Sequence, residues 1–160
     1  MTAETEAVAS EPAVANVSLR REQAKDIVAK YAAWSSAFGV LPIPFADIAG
    51  ISGTQVAMVV ALCKHYGVPF SKSWVRTILG AIVGGVAPWA VTSGVVTTFL
   101  KSVPGWGLGV GFVGMAGLSN IATRTIGKLF IEHFEAGGSL EDVDTDAMKE
   151  SLSEEMKKKS

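Results

Sequence analysis

Cysteine and histidine are scarce in this sequence, and it has no surplus of positive charge. The 160 residues include one cysteine and two histidines, and the formal net charge is -1 at pH 7. A single cysteine excludes an internal disulfide, and a lone cysteine in an apolar run, here Cys63, is typical of a small core residue. Because no global basic surface is present, we expect no nucleic-acid partner.

Catalytic and metal-binding patterns are also missing. His65 and His133 stand beside apolar runs in different predicted helices, without a cluster of ligands or a nucleophile with its orienting acid. The segment GAIVGGV, residues 80–86, is followed by alanine, so valine and alanine stand where a phosphate loop requires lysine and serine or threonine. We therefore expect no enzyme, no cofactor and no metal site. The histidines are interpreted as packing or interfacial residues, with a pH-tuned pair as the alternative.

Charge is absent from two long stretches. Residues 77–100 and 102–123 contain 24 and 22 uncharged residues, separated by Lys101. As helices these stretches would extend ~36 Å and ~33 Å, enough to cross a hydrocarbon core of about 30 Å. They predict a transmembrane hairpin that turns at the segment KSVPG. Frequent glycine, threonine and serine weaken this signal, and Pro88 would either kink a membrane helix or begin a second helix of a soluble fold.

Glycine is abundant, with 17 residues, and three of these glycines have the spacing found in a nucleotide-binding loop. The segment GWGLGVGFVGMAG, residues 105–117, contains GxGxxG, but it follows no predicted strand and the 46 residues after Gly114 supply no second strand. On a helix, small residues at i, i+4 and i+7 share one face and let two helices approach closely. We interpret these residues as a helix-packing surface, within the hairpin, between copies, or both: Gly80, Gly84, Ala87, Gly94, Gly107, Gly111 and Gly114.

Two helices are predicted before the hairpin. Residues 19–38 place apolar side chains on one face, with Ser18 as the N-cap, and this helix either docks on its own domain or lies on an anionic membrane surface. An elbow at Pro42 and Pro44 separates it from the second helix.

The second helix is predicted to start near Asp47 and to end at Gly67. Its uncharged part, residues 48–63, is shorter than the roughly 20 residues of an ordinary span. We expect a buried or half-inserted helix, with a short tilted span as the alternative. A third span would send the basic residues of the first helix outside, which favours two spans.

The two ends of the chain have polar compositions. Residues 1–18 lack periodicity and a basic start, which predicts a disordered leader rather than a signal peptide. Residues 139–160 form a charged C-terminal tail in which Met148, Leu152 and Met156 are four residues apart. This tail is either a weak amphipathic helix or, in the interpretation we favour, solvated. The predicted helical membrane domain is therefore residues 19–138.

Flanking charge predicts the orientation of the hairpin. Lys72 and Arg76 precede it, Arg124 and Lys128 follow it, and only Lys101 lies at its tip. Because positive residues favour the cytoplasmic side, both termini are expected in the cytoplasm, at an inner, cytoplasmic or internal membrane.

The stretch LPIPFADIAGISGTQVAMVVALCKHYGVPFS resembles the YcjF-like family, a helical membrane domain of unknown function often attached to Era-like or dynamin-like GTPase domains. The resemblance covers about residues 24–138, including the elbow at Pro42, Pro44 and Asp47, the glycine-rich hairpin and the ending FEAGG. It implies a membrane module that serves a GTPase or a membrane-organising assembly, and no catalytic residues. Because these 160 residues hold no GTPase domain, a separate partner would supply one.

Together these features predict an all-α protein: a membrane helical hairpin, two flanking N-terminal helices and a C-terminal amphipathic helix. The predicted function is a small integral-membrane structural or adaptor protein. It would contact the lipid bilayer, oligomerise through its glycine-rich helices, and recruit a partner or shape the membrane.

Two alternatives to this function stay open. In an oligomeric channel, polar side chains of the hairpin would line a path: Thr92, Thr97, Thr98 and Asn120. In a soluble helical bundle, the apolar hairpin would be hidden and Pro88 would begin a separate helix.

Overall fold

The described part of the chain is entirely helical. The computed structural model describes the backbone of residues 3–39, 46–92 and 107–159, and the side chains mainly of residues 15–37, 52–84 and 119–158. Over these ranges the chain forms helices and no strand, which confirms the all-α prediction. The helices are α1 (Ala3–Gly39), α2 (Ala46–Tyr66), α3 (Lys72–Thr92), α4 (Gly107–Glu135) and α5 (Thr145–Lys159).

Glycine ends two of these helices, and the sequence predicts the first of the two ends, at Gly67. Gly67 has φ of 74° and follows α2, and the amide of Val68 donates to the carbonyl of Cys63 at 2.8 Å. Gly137 has φ of 84° and follows α4, and the amide of Gly138 donates to the carbonyl of His133 at 3.0 Å. Positive φ is the conformation in which glycine lacks the steric penalty of other residues, so both helix ends are local in origin.

The first helix starts earlier than predicted. It begins at Ala3 and runs through the segment predicted to be a disordered leader. Ser18 is not an N-cap: it lies inside α1, and its hydroxyl donates to the carbonyl of Ala15 at 2.9 Å. Serine can satisfy its hydroxyl on the preceding turn, so a serine before an apolar stretch does not by itself mark a helix start. The division of the chain near residues 18 and 138 stays a prediction.

The core is built by all five helices. Helices α1, α2 and α4 pack on one another, α3 packs on α2 and α5, and α5 also packs on α4. The largest fully buried side chains come from α2, α3, α4 and α5, namely Met58, Leu62, Ile82, Ile126, Phe130 and Leu152. The described core therefore lies along the first part of α3 and the second part of α4.

The C-terminal helix is docked rather than solvated. Met148 and Leu152 are buried in the core and Met156 packs against it, so the four-residue spacing places one apolar face on the bundle. At the start of α5, one carboxylate oxygen of Asp144 accepts hydrogen bonds from the amides of Asp146 and Ala147, each at 3.0 Å. The predicted amphipathic helix is confirmed, and the interpretation of a solvated tail is wrong because it neglected the partner that buries this face.

Within the ranges given above, no helix has both the length and the apolar composition required to cross a membrane. Helix α3 continues past Pro88 to Thr92, and α4 is continuous from its first residue to Glu135. In their described parts α3 and α4 do not contact each other, and the predicted turn at residues 101–105 lies outside the described residues. The membrane hairpin stays a prediction.

Candidate functional site

A groove of about 820 Å³ runs between α2 and α3. The short connection 67–71 joins α2 to α3, so the last turn of α2 and the first turns of α3 lie at the same end of the groove. Each helix gives the groove one face, because its lining residues recur every three or four positions. The lining residues include Gly53, Val56, Ala57, Val60, Ala61 and Lys64 of α2, and Lys72, Arg76, Leu79, Gly80, Val83 and Gly84 of α3.

Positive charge is concentrated at the end of the groove next to this connection, which we call the basic end. Lys64 lies in the last turn of α2, and Lys72 and Arg76 lie in the first turns of α3. The ammonium of Lys64 is 5.9 Å from the ring centroid of Phe70, which lies in the connection between the helices. Among the described residues, no carboxylate lines the groove. A concave site lined by charge of one sign concentrates oppositely charged ligands.

The rest of the groove is roomy and lined mainly by apolar residues, with Tyr31, Ser52 and Gln55 as its polar lining residues. Val56 and Val60 line it from α2, and Leu79 and Val83 line it from α3. A β-carbon added at Gly53, Gly80 or Gly84 would meet nothing within 4 Å. These glycines therefore leave the groove wide, and the contact predicted for Gly80 and Gly84, within the hairpin or between copies, stays a prediction.

The other predicted site residues fall largely outside what the structure describes. Pro42, Pro44 and Gly94 lie outside the described residues, and Asp47 is in the first turn of α2 without a described side chain. The same holds for the surroundings of the remaining small residues of α3 and α4, namely Ala87, Gly107, Gly111 and Gly114. The predicted helix-packing surface and elbow motif stay predictions.

Small polar side chains join α1 to α4. We call the group Ser35, Ser36, Ser119, Asn120 and Thr123 the polar seam. The hydroxyls of Ser35 and Ser119 hydrogen-bond to each other, and the Thr123 hydroxyl donates to the Ser35 hydroxyl at 3.0 Å. The amide nitrogen of Asn120 donates to the Ser36 hydroxyl at 3.0 Å. Every buried side-chain polar atom in the described part of the chain has a partner, so the polar seam is fully satisfied.

Helices α1 and α4 come close together at Gly127, which continues the face of the polar seam one turn after Thr123. A β-carbon added there would lie 2.5 and 2.6 Å from the two γ-carbons of Val28 in α1. Sequence reasoning missed this contact because it counted glycine and alanine and treated serine and threonine only as polar. The signal was present in the four-residue spacing of Ser119, Thr123 and Gly127, which are all small.

A network of polar contacts lies at the end of the bundle where α2 and α4 end. The Tyr66 hydroxyl donates to a carboxylate oxygen of Glu135 at 3.1 Å, and the Arg21 guanidinium is 3.4 Å from the other oxygen. Arg20 donates to the Tyr66 carbonyl at 2.8 Å, and its guanidinium carbon is 4.8 Å from the Tyr66 ring centroid. His65 donates from Nε2 to the Arg20 carbonyl at 2.8 Å. The network ties α1, α2 and α4 together.

Each of the two histidines hydrogen-bonds to a backbone carbonyl, and the cysteine is buried. His133 donates from Nε2 to the carbonyl of Ser139 at 2.7 Å, and like His65 it binds a backbone carbonyl, which fits the packing interpretation. Cys63 is fully buried, which confirms it as a core residue. Burial raises the pKa of the Cys63 thiol to about 11. Among the described residues, no group of histidine, cysteine and carboxylate side chains could hold a metal ion.

The surroundings of Tyr66 predict a loss of stability at high pH. Burial, followed by the hydrogen bond and charge of Glu135, raises the pKa of Tyr66 from 10.0 to about 12. The fold thus favours the neutral phenol, and this contribution is complete below pH 10 and is lost as the pH rises towards 12. In urea unfolding measured across this range, we expect the wild type to lose more stability than Tyr66→Phe. Equal losses would show that the Tyr66 phenol does not contribute.

These elements define the class of the protein: an all-α bundle with a basic and apolar groove, held together by a polar seam. The chain belongs to the family described as a domain of unknown function (DUF697), and the match covers residues 8–160. The narrower resemblance to the YcjF-like family stays a prediction.

One similar protein carries a name that bears on location. The chain is 30% identical over 126 residues to Magnetosome membrane protein 22 of Magnetospirillum gryphiswaldense. The alignment covers 79% of this chain and 65% of that relative, so the chain spans slightly less than two thirds of the relative's length. No solved structure matches the chain.

Proposed function

We propose that this chain is a membrane-associated structural or adaptor module. Its packed part would be a helical base, formed by α1, α2, α5, the start of α3 and the end of α4. The parts of the uncharged stretches 77–100 and 102–123 that lie between Ile82 and Ser119 would attach this base to the bilayer as a hairpin. The similarity to a protein named as a magnetosome membrane protein supports membrane association.

The observation that carries this proposal is where the core lies relative to the uncharged stretches. The described core reaches Ile82 in α3 and begins again at Ser119 in α4. Between these positions the sequence has a single charged residue, Lys101. A stretch this poor in charge favours an apolar environment, whereas the base carries most of the charged side chains.

The charges at the edge of the base support the orientation with both termini in the cytoplasm. Arg76 precedes the first uncharged stretch, and Arg124 and Lys128 follow the second. Their side chains are largely exposed on the base, where they can contact anionic headgroups. This arrangement agrees with the tendency of lysine and arginine to stay on the cytoplasmic side.

A non-catalytic role fits the surfaces of the base. The described residues offer large exposed apolar side chains on α1, where Trp34 is 56% exposed and Leu19 is 58% exposed. Exposed apolar side chains are candidate contact points for a protein partner or for a second copy. In this proposal α1 recruits the partner, with a GTPase as the candidate that the YcjF-like resemblance implies, while the glycine-rich helices mediate self-association.

Membrane fractionation with alkaline extraction tests the proposal. We expect most of the wild-type chain to stay in the pellet, because an inserted hairpin resists alkali. The double variant Val95→Asp/Val96→Asp places two charges in the first uncharged stretch and should move most of the protein to the supernatant. Val17→Asp, at an exposed position of α1, is the matched control and should stay in the pellet.

Extraction with urea at neutral pH completes the experiment. It is needed because alkali also titrates Tyr66, whose ionisation weakens the base. If both treatments released the wild-type chain completely, the inserted hairpin would be wrong. A wild-type chain that never sediments with membranes would also overturn membrane association.

A further inference from the structure

We propose that the groove between α2 and α3 binds one anionic phospholipid. The phosphate would lie at the basic end, with Lys64, Lys72 and Arg76, and one acyl chain would follow the apolar walls towards Gly84. This inference rests on the proposed membrane association and specifies the class of lipid that the base recognises.

The charge of the groove selects an anion. Three cationic side chains meet at one end, and no described carboxylate lines the groove to neutralise them. Lys72 is also the first residue of α3, a helix of 21 residues, so the positive end of the helix dipole lies at the same place. Lysine and arginine together with a helix start are the usual means by which proteins bind phosphate.

The shape and chemistry of the remaining groove select a lipid over a free anion. About 820 Å³ is far more than a phosphate fills, and the walls beyond the basic end are made mainly by valine, leucine, alanine and glycine. Val83 is 40% exposed on this wall, so an apolar chain lying there would remove it from water. A free phosphate or a nucleotide would leave this apolar surface uncovered, whereas a lipid has an anionic head joined to an apolar chain.

Exposed aromatic side chains flank the basic end of the groove. Phe70 is 37% exposed and Trp74 is 47% exposed, and both lie within a few residues of Lys72. The indole nitrogen of Trp74 donates to the carbonyl of Leu140 at 3.2 Å, which fixes the ring at the surface. Tryptophan and other large aromatic residues beside lysine and arginine are typical of protein surfaces at the membrane interface.

Native mass spectrometry of the full chain in a neutral detergent tests the assignment. We expect one phosphatidylglycerol molecule to remain bound, with phosphatidylcholine binding at least tenfold more weakly because its headgroup has no net charge. The triple variant Lys64→Gln/Lys72→Gln/Arg76→Gln should weaken phosphatidylglycerol binding at least tenfold. Inorganic phosphate in excess should not displace the lipid, whereas displacement would assign the site to a free anion and overturn the proposal.

Filling the groove gives the second arm. Gly80→Leu projects a side chain into space where a β-carbon meets nothing within 4 Å, so we expect a folded protein with at least tenfold weaker lipid binding. Gly117→Leu is the matched control, because Gly117 is also open and helical but is not part of the groove. Circular dichroism verifies folding, and Gly84→Leu replaces Gly80→Leu if that variant unfolds.

The possible outcomes separate this inference from the proposed function. Equal binding of both lipids, or phosphatidylglycerol binding that survives both the charge and the groove variants, would overturn the lipid site even if the chain remains in the membrane pellet. If the groove held no lipid in the mass spectra and bound an added acidic helical peptide instead, the lipid site would also be wrong. Selective binding lost in the variants supports the site, whatever the alkaline extraction shows.

Discussion

Leu152→Ala lowers the free energy of unfolding by about 2–5 kcal/mol, the range for removing a large side chain from a packed core. Leu152 is fully buried and lies in the cluster that joins α5 to the start of α3. The substitution leaves a cavity at this junction because α3 and α4, on which α5 packs, are held in place by the rest of the bundle. Urea unfolding followed by circular dichroism measures the loss. At this chain length the melting temperature should fall by roughly 2–4 °C per kcal/mol.

Leu19→Ala is the control for this prediction. Leu19 is also a helical leucine, but it is exposed on α1, so its loss should change stability by no more than about 0.5 kcal/mol. If both variants lost the same small amount, α5 would not be docked in solution and the tail would be solvated as the composition suggests.

Gly127→Ala is expected to destabilise the fold by about 1–3 kcal/mol, although alanine is the better helix former. Helix propensity alone would give a gain of about 1 kcal/mol. The new methyl group would collide with both γ-carbons of Val28, and relief requires α1 and α4 to separate along their contact. That separation would weaken the polar seam one turn away. Thermal and urea unfolding give the sign and the size of the effect.

Two further variants isolate the cause. Gly117→Ala lies in the same helix with open space around it, so it should stabilise the chain by about 0.5–1 kcal/mol. Val28→Ala removes the γ-carbons, so the double variant Val28→Ala/Gly127→Ala should lose less stability than the sum of the single variants. Strict additivity would mean that the clash at Val28 is not the cause.

Much of the local structure could be predicted because it depends on neighbouring residues. Gly67 marks a helix end through backbone conformation alone, and the periodic apolar face of residues 19–38 predicts the corresponding part of α1. The start of α1 was misplaced because Ser18 satisfies its hydroxyl within the helix. At Ser18, helix propensity favours a helix that continues through the serine, whereas the capping preference of serine favours a helix that starts there. The sequence alone does not decide between the two.

The groove and the polar seam could not be predicted in the same way because each is formed by two helices. Gly80 has the spacing of a contact residue, but whether it touches a helix or widens a groove depends on where α2 lies. Ser119 and Thr123 lower the hydropathy of a predicted span, and only their partners on α1 show that they hold two helices together. The docking of α5 likewise depends on the surface offered by α3.

The polar seam has a mechanical consequence. Its hydrogen bonds join short side chains, which cannot extend to keep a bond when the partner helix moves. A slide of α4 along α1 by one residue, about 1.5 Å, would break several of these bonds together, and Gly127 would be driven against Val28. The two helices therefore resist shear and transmit force as one rigid body. A force applied to the start of α4 would therefore be transmitted to the exposed face of α1, because the contact between the two helices would deform little.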